Sequence, residues 1–215
     1  MSKNCVIITS VVSPDSAPLN YSAIRSVYTD QERLVQTLET INSVRERIPN
    51  VEICLAECSP ESEELKVLSK AVDFFLNLYP NDNIRKNPEK AIGEACMLLS
   101  TLEALKNREY NNFFKLSGRY LVNKNFDASL YLNDHIVLKQ TDQYAGPSMH
   151  TFFYKFPKRQ LQFFKNLFKL VALDMKSGCV EQYMLEHIGD SNVLSLDCAL
   201  GITARWSCYN STHDF

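Results

Sequence analysis

Ser117, Gly118, Arg119 and Tyr120 close an apolar run that begins at Phe113 and Phe114. A strand that runs out into these four residues offers small backbone, one fixed cation and one aromatic ring at its end. In open α/β sheets, ligands bind beyond the carboxyl ends of the strands. Glycine lets another group approach the main chain closely, and a guanidinium can fork two oxygens at once. The combination suits a phosphorylated ligand. Lys115, inside the run, adds a second positive charge; its alternative is a solvated place on an edge strand. Tyr120 can stack on a ligand ring or fill the core.

Other residues join these by type and position. Ser10 and Val11 end a first apolar run, and Glu57 and Ser59 end a second. Lys90 and Glu94 stand one helical turn apart. As an exposed ion pair they are worth little; beside a ligand, Lys90 would meet phosphate and Gly93 would allow the helix to come close. Glu181 follows Gly178 at a helix start, where a carboxylate is stabilised with no further role. As a general base it would take the proton of a hydroxyl. His150 reads as a structural histidine, and His187 and His213 have no partner at metal-ligand spacing. His213 reaches a site only if the tail around it folds back.

The elements that must position these residues follow from pattern. Val6 to Val12 is β-branched and non-alternating, like a strand buried on both faces. Residues 13–28 carry two prolines and many small polar residues and read as a loop. Asp30 can cap a helix whose stripe is Leu34, Leu38, Ile41, Val44 and Ile48, ended by Pro49. Residues 51–57 form the second strand, 62–72 a second helix and 73–78 a third strand. Residues 79–88 read as an exposed loop. Residues 90–106 form a helix with the stripe Ile92, Cys96, Leu99 and Leu102, and the Phe113 strand follows. This order predicts an α/β fold: a mixed, mostly parallel central sheet flanked by helices. In the second half, 129–138 and 151–156 read as strands. Pro157 opens an apolar helix through Leu161, Phe164, Phe168 and Val171, broken at Gly178. Residues 179–188 form a short helix, and 193–206 hold one or two last strands.

With 215 residues, one domain with a full core is the simplest organisation. A net charge of −2 with scattered basic residues gives no electrostatic case for nucleic acid. No apolar run approaches the roughly 20 residues of a membrane span, and no N-terminal targeting segment is visible. Seven scattered cysteines favour reduced thiols and a cytoplasmic setting, in the host cell if the source is viral. Cys54 and Cys58 have no histidine nearby, which argues against zinc.

The succession of these features resembles the nucleotide-sugar glycosyltransferases of the GT-A (Rossmann-like) fold, of the small viral or bacterial glycan-building type. It is carried by Thr9-Ser10-Val11-Val12 followed by a loop and a helix opening with Glu32-Arg33-Leu34, by Glu57-Cys58-Ser59, Lys90-Ala91-Ile92-Gly93-Glu94-Ala95, Lys115 to Tyr120, and Glu181-Gln182. Together these span most of the chain. The resemblance implies a single domain over residues 1–215, with a nucleotide-sugar half (1–120) and an acceptor half (121–215). It implies transfer of a hexose from a nucleoside diphosphate sugar, a UDP-sugar by expectation, to a carbohydrate acceptor, with inversion. Catalysis would fall to Glu181 as base and Arg119 as charge stabiliser. The donor would be held by Ser10, Val11, Glu57, Ser59, Lys90, Glu94, Lys115, Ser117, Gly118 and Tyr120, with Glu57 accepting from uracil or a ribose hydroxyl.

The resemblance also implies manganese or magnesium bridging the donor diphosphate. The Asp-x-Asp that would hold such an ion is missing from the end of the Phe113 strand, which leaves metal independence open. Asn81-Asp82-Asn83 is oxygen-rich but reads as a turn. Two alternatives stand beside the transferase. A nucleotidyltransferase needs a glycine-rich, basic first loop, and residues 13–28 contain no glycine. A non-catalytic nucleotide-sugar-binding module accords with the missing Asp-x-Asp.

Overall fold

β1 (Asn4–Ser10) is buried along its whole length, the place its β-branched sequence predicts. It is the centre around which the rest is laid. The computed structural model describes residues 3–142, 146–174, 179–189, 193–206 and 211–215. After β1 come α1 (Asp30–Arg47), β2 (Val51–Glu57), α2 (Glu63–Ala71), β3 (Phe74–Asn77), α3 (Asp82–Arg85), α4 (Lys90–Leu105) and β4 (Asn112–Ser117). The second half holds β5 (Leu121–Val122), β6 (Ile136–Leu138), β7 (Gln140–Thr141), β8 (Ser148–Met149), β9 (Phe153–Pro157), α5 (Leu161–Asp174), α6 (Val180–Ile188), β10 (Val193–Ser195), β11 (Ile202–Arg205) and β12 (Thr212–Asp214).

Seven strands form the main sheet in the order β10-β6-β9-β4-β1-β2-β3. β3, β2, β1 and β4 run parallel. β9 is antiparallel to β4 and β6, and β10 is parallel to β6. A mixed, mostly parallel sheet is therefore the architecture. Both of its faces are covered. Cys5 and Ile7 of β1 join a core with Ala95, Leu98 and Leu102 of α4, Phe164 and Phe168 of α5 and Met184 of α6. Val6 and Ile8 join another with Leu34, Ile41 and Val44 of α1 and Leu65 and Leu68 of α2. The period-2 alternation of strand side chains divides the two sets. Burial pushes the thiols of Cys54 and Cys58 up to about 12, the latter with help from Glu57.

Several local expectations are corrected. The cap of α1 is Thr29, one residue before Asp30. Its hydroxyl accepts from the Glu32 amide at 3.2 Å, while the Glu32 carboxylate accepts from the Thr29 amide at 2.7 Å. This reciprocal pair satisfies two orphan donors, which an Asp30 cap would not. The segment 79–88 contains the single turn α3, because Ile84 is buried and Asn81 caps it. Residues 129–138 are not one strand. They begin in a 3-10 turn, Ala128–Leu130, and only β6 pairs with the sheet. Residues 151 and 152 form a turn, and the strand expected there is β9. Gly178 lies outside the described residues.

A second, three-stranded antiparallel sheet, β12-β11-β5, stands beside the first, and β7 pairs with β8. Its strands are two to four residues long, too short to show an alternation in sequence. No helix among the described residues is long and apolar enough to cross a membrane.

Candidate functional site

Thr9 of β1 is in register with Ser117 of β4, and Ser10 of β1 with Glu57 of β2. Three parallel strands thus end level, and their carboxyl ends form the floor of a cavity of about 350 Å³. Ser10, Val11, Ser117, Gly118, Arg119 and Tyr120 line it, together with Lys90 and Glu94 from α4 and Glu181 from α6. The structure brings these nine predicted residues to one place although they come from distant parts of the sequence. Glu57, Ser59 and Lys115 do not line it.

Glu57 lies beneath the loop that follows β1. Its Oε1 accepts from the Val12 amide at 2.9 Å, the Cys58 amide at 3.0 Å and the Ser59 hydroxyl at 2.6 Å. Ser59 Oγ in turn accepts from the Ser13 amide at 2.8 Å. These bonds anchor the start of the loop to the end of β2 and so shape one wall. The helix that follows, α2, is capped by Ser62.

Lys115 is 1% exposed. Its ammonium reaches Glu94 Oε1 at 3.0 Å, Ser117 Oγ at 2.8 Å and the Thr151 carbonyl at 2.8 Å. Glu94 Oε1 also accepts from the Thr9 hydroxyl at 2.7 Å. The partner of Glu94 is therefore Lys115, and Lys90 only adds its field. Burial pushes the Glu94 carboxyl up, but Lys115, the Thr9 hydroxyl and Lys90 outweigh it and hold it below the ordinary carboxylate range. Lys115, expected either as a donor-facing cation or as a solvated edge residue, is instead the tie between β4, α4 and the turn before β9.

The two glycines act on packing. A Cβ on Gly118 would meet the Thr9 carbonyl oxygen at 2.7 Å, and the Gly118 amide donates to that oxygen at 2.7 Å. A Cβ on Gly93 would meet the Ile84 carbonyl at 3.0 Å. The close approaches expected toward a ligand are thus made to the chain itself. Gly118→Ala is expected to force β1 and β4 apart, at about 1–3 kcal/mol of overpacking. The melting point should fall by roughly 5 °C; a thermal melt equal to wild type would contradict the contact.

Arg119 is 7% exposed, and its Nε has no hydrogen-bond partner among the described residues. Burial pulls its pKa down, opposed by Tyr120, Tyr28, Glu57 and Glu94, and an arginine stays charged regardless. Its φ of 75° lies in the left-handed region. Tyr120 packs on Phe152, with ring centroids 5.4 Å apart.

Glu181, in the first turn of α6, accepts from Thr151 Oγ1 at 3.3 Å and from Cys179 Sγ at 3.0 Å. Beside it His150, Phe152 and Phe215 form a cluster of rings with centroids 4.8 to 5.0 Å apart. Burial, with Lys139, pulls His150 down to about 4, so it is neutral at pH 7. The tail does fold back. β12 pairs with β11, and His213 packs at a tilt against Trp206, which lines the cavity with Phe215.

Sequence reasoning missed much of the cationic wall. Arg25, Arg33 and Arg85 line the cavity with Lys90 and Arg119. These five face three carboxylates, Asp15, Glu94 and Glu181. Arg33 gave a signal: it is a cation in the first turns of a helix, where the dipole disfavours it. Its Nε donates to the Val11 carbonyl at 2.7 Å and its Nη1 to the Ser26 hydroxyl at 2.7 Å. Arg25 and Arg85 lie in segments with no periodicity and offered none.

The residues at the end of β4 do not fit a divalent ion. Hard cations want several free carboxylate or carbonyl oxygens. The Ser117 hydroxyl already accepts from Lys115, Glu94 is paired with Lys115, and Arg119 adds positive charge. Asp82 of the oxygen-rich turn is bound to Arg85 and Lys86 at 2.6 and 3.0 Å. Among the described residues no three His, Cys, Asp or Glu side chains converge.

Neither a protein-family model nor a curated protein sequence matches the chain. Solved structures do. The glycosyltransferase GlyE of Streptococcus pneumoniae TIGR4 superposes with a TM-score of 0.55 at 12% identity, over 92% of this chain and 46% of GlyE. This chain thus spans about half the length of GlyE. A Desulfovibrio desulfuricans G20 protein assigned as a nucleotide-diphospho-sugar transferase gives 0.55 at 11% identity, over 91% of this chain and 80% of its own. An active-site mutant of LgtC gives 0.54 at 10% identity, covering 89% and 72%. At such identities the likeness is one of architecture, and by architecture this chain has the GT-A-type fold found in nucleotide-diphospho-sugar transferases.

Proposed function

We propose that the chain transfers a hexose from a nucleoside diphosphate sugar, a UDP-sugar, to a hydroxyl of a carbohydrate acceptor, with inversion at the anomeric carbon. The observation that supports this most is the cavity at the carboxyl ends of β1 and β4, with the buried cation Arg119 on its wall. Residues up to 120 would serve the donor. His150, Phe152, Glu181, Trp206 and Phe215, all from the second half, would serve the acceptor.

In this reading Glu181 takes the proton of the acceptor hydroxyl as its oxygen bonds to the anomeric carbon. The bond from that carbon to the diphosphate oxygen breaks, and its electron pair leaves with the diphosphate. Arg119 meets the charge that grows there; a preorganised cation in a desolvated site is worth most against developing charge. Ser10 and Val11 supply strand-end groups for the donor, and Lys90 a second cation. Glu94, Lys115 and Ser117 keep the floor in shape, with Gly118 letting β4 lie close against β1. Glu57 and Ser59 act one step back, through the loop they anchor. Tyr120 offers a ring edge at the donor side.

UDP is expected to raise the melting point more than GDP or CMP. At a hundredfold excess over Kd the gain is about 2.7 kcal/mol, roughly 5–10 °C for a chain of this size. Equal shifts for all three nucleotides, or none, would overturn the donor assignment.

A further inference from the structure

Two costs meet at Arg119. A guanidinium with 7% exposure and an unpaired Nε is a desolvated charge without full compensation. The same residue carries a φ of 75°, a conformation that disfavours any residue with a Cβ. The adjacent glycine does not relieve it. Gly118 is required one position earlier, where a Cβ would strike the Thr9 carbonyl. The turn therefore holds an arginine where a glycine or asparagine would sit at lower cost. Strain and an unpaired charge that coincide on a cavity wall point to a ligand that relieves the charge.

The sign of that ligand follows from the surroundings. Of the nearby carboxylates, Glu94 is held through Oε1 by Lys115 and Thr9, and Glu57 accepts through Oε1 from the Val12 and Cys58 amides and Ser59, while its buried Oε2 has no hydrogen-bond partner among the described residues. Five cations against three carboxylates leave an excess of two positive charges on the wall. A divalent cation would enter an electropositive cavity in which, among the described residues, no three His, Cys, Asp or Glu side chains converge to hold it. A diphosphate would find a fixed countercharge already there.

The geometry points to a donor site that takes the diphosphate without a divalent ion, with the Arg119 guanidinium as its built-in countercharge. This deepens the reading of the cavity as a nucleotide-sugar site and rests on it. The fixed cation would bind the two phosphoryl groups in the ground state and hold the leaving diphosphate as its charge grows. No metal would need to bind or leave in a turnover.

Inorganic pyrophosphate tests this, because it carries the diphosphate with neither base nor sugar. It would be titrated calorimetrically into the full chain in EDTA, then in excess manganese, with UDP in parallel. Pyrophosphate and UDP are expected to bind in EDTA, and manganese, which chelates free diphosphate in solution, should strengthen neither. Arg119→Met should weaken pyrophosphate at least tenfold in EDTA, and Arg119→Lys should recover part of the loss. Circular dichroism would show that both variants are folded; if Arg119→Met is not, Arg119→Lys against wild type carries the comparison. Binding of UDP and pyrophosphate only with manganese would overturn the metal-free site and leave the donor reading standing. Unchanged pyrophosphate affinity in folded Arg119 variants would overturn the role of Arg119. UDP bound in neither buffer would overturn the donor reading, and this inference with it.

Discussion

Glu181→Gln is expected to lower the transfer rate by roughly two to four orders of magnitude while UDP affinity stays near wild type. Glutamine keeps the length of the side chain and can still accept from the Thr151 hydroxyl, which lies 3.3 Å from Oε1. It cannot take a proton. The competing role is electrostatic: Glu181 sits in the first turn of α6, where a carboxylate stabilises a helix by about 0.3–1 kcal/mol. The two roles separate in one pair of measurements. A base gives a variant that melts nearly as wild type and turns over slowly. A helix-start carboxylate gives a slightly lower melting point and normal turnover of the folded chain. The product decides the mechanism independently. Retention of anomeric configuration would exclude a single displacement, whatever the rate of the variant.

Lys115→Met should be the most damaging single change to the fold around the site. Methionine fills much of the buried space, but the Glu94 carboxylate loses its partner at 3.0 Å, and Ser117 and the Thr151 carbonyl lose a donor. Breaking one half of a buried pair costs about 3–5 kcal/mol. The lower end applies because Glu94 borders the cavity and keeps its bond from Thr9. A fall of roughly 10 °C in melting point follows.

The pH dependence of this variant has a definite sign. In the wild type the Glu94 carboxyl is held low, so its contribution is present at neutral pH and is lost as pH falls through that lowered value. Without Lys115, two of the influences that lower Glu94 are gone, and burial, which raises it, is opposed only by the Thr9 hydroxyl and Lys90. The penalty is then largest at neutral pH and is relieved on acidification. The stability gap between wild type and Lys115→Met should narrow from pH 7 to pH 4, read by urea unfolding. A gap that stays constant would mean that Glu94 is not the group left unpaired.

What the sequence by itself determined is mostly local or periodic. The β-branched run of β1, the capped stripes of α1 and α2, and the stripe of α4 each fix an element with neighbours a few residues away. Their alternation implies a parallel sheet, and a parallel sheet implies a site at its carboxyl edge. Ser10 and Arg119 could therefore be placed at one edge before any contact was known.

Only the tertiary structure decided what each side chain does there. Glu57 is spent on an amide 45 residues earlier in the chain, at Val12. Lys115 showed no sign of this tie because its partners Glu94 and Thr151 stand 21 and 36 residues away in the sequence. The arginines of the aperiodic segments reach the wall by tertiary placement: Arg25 sits in the loop after β1 and donates to the Asn87 carbonyl at 2.7 Å, and Arg85 ends α3. In the small sheet β11 pairs with β5, about 80 residues earlier, and with β12, about 10 residues later, through strands of two to four residues. Strands that short carry no period, and a hydrogen bond across such distances leaves no trace in the order of residues. Pairing of this kind is chosen by the packed core, once both faces of the main sheet are covered.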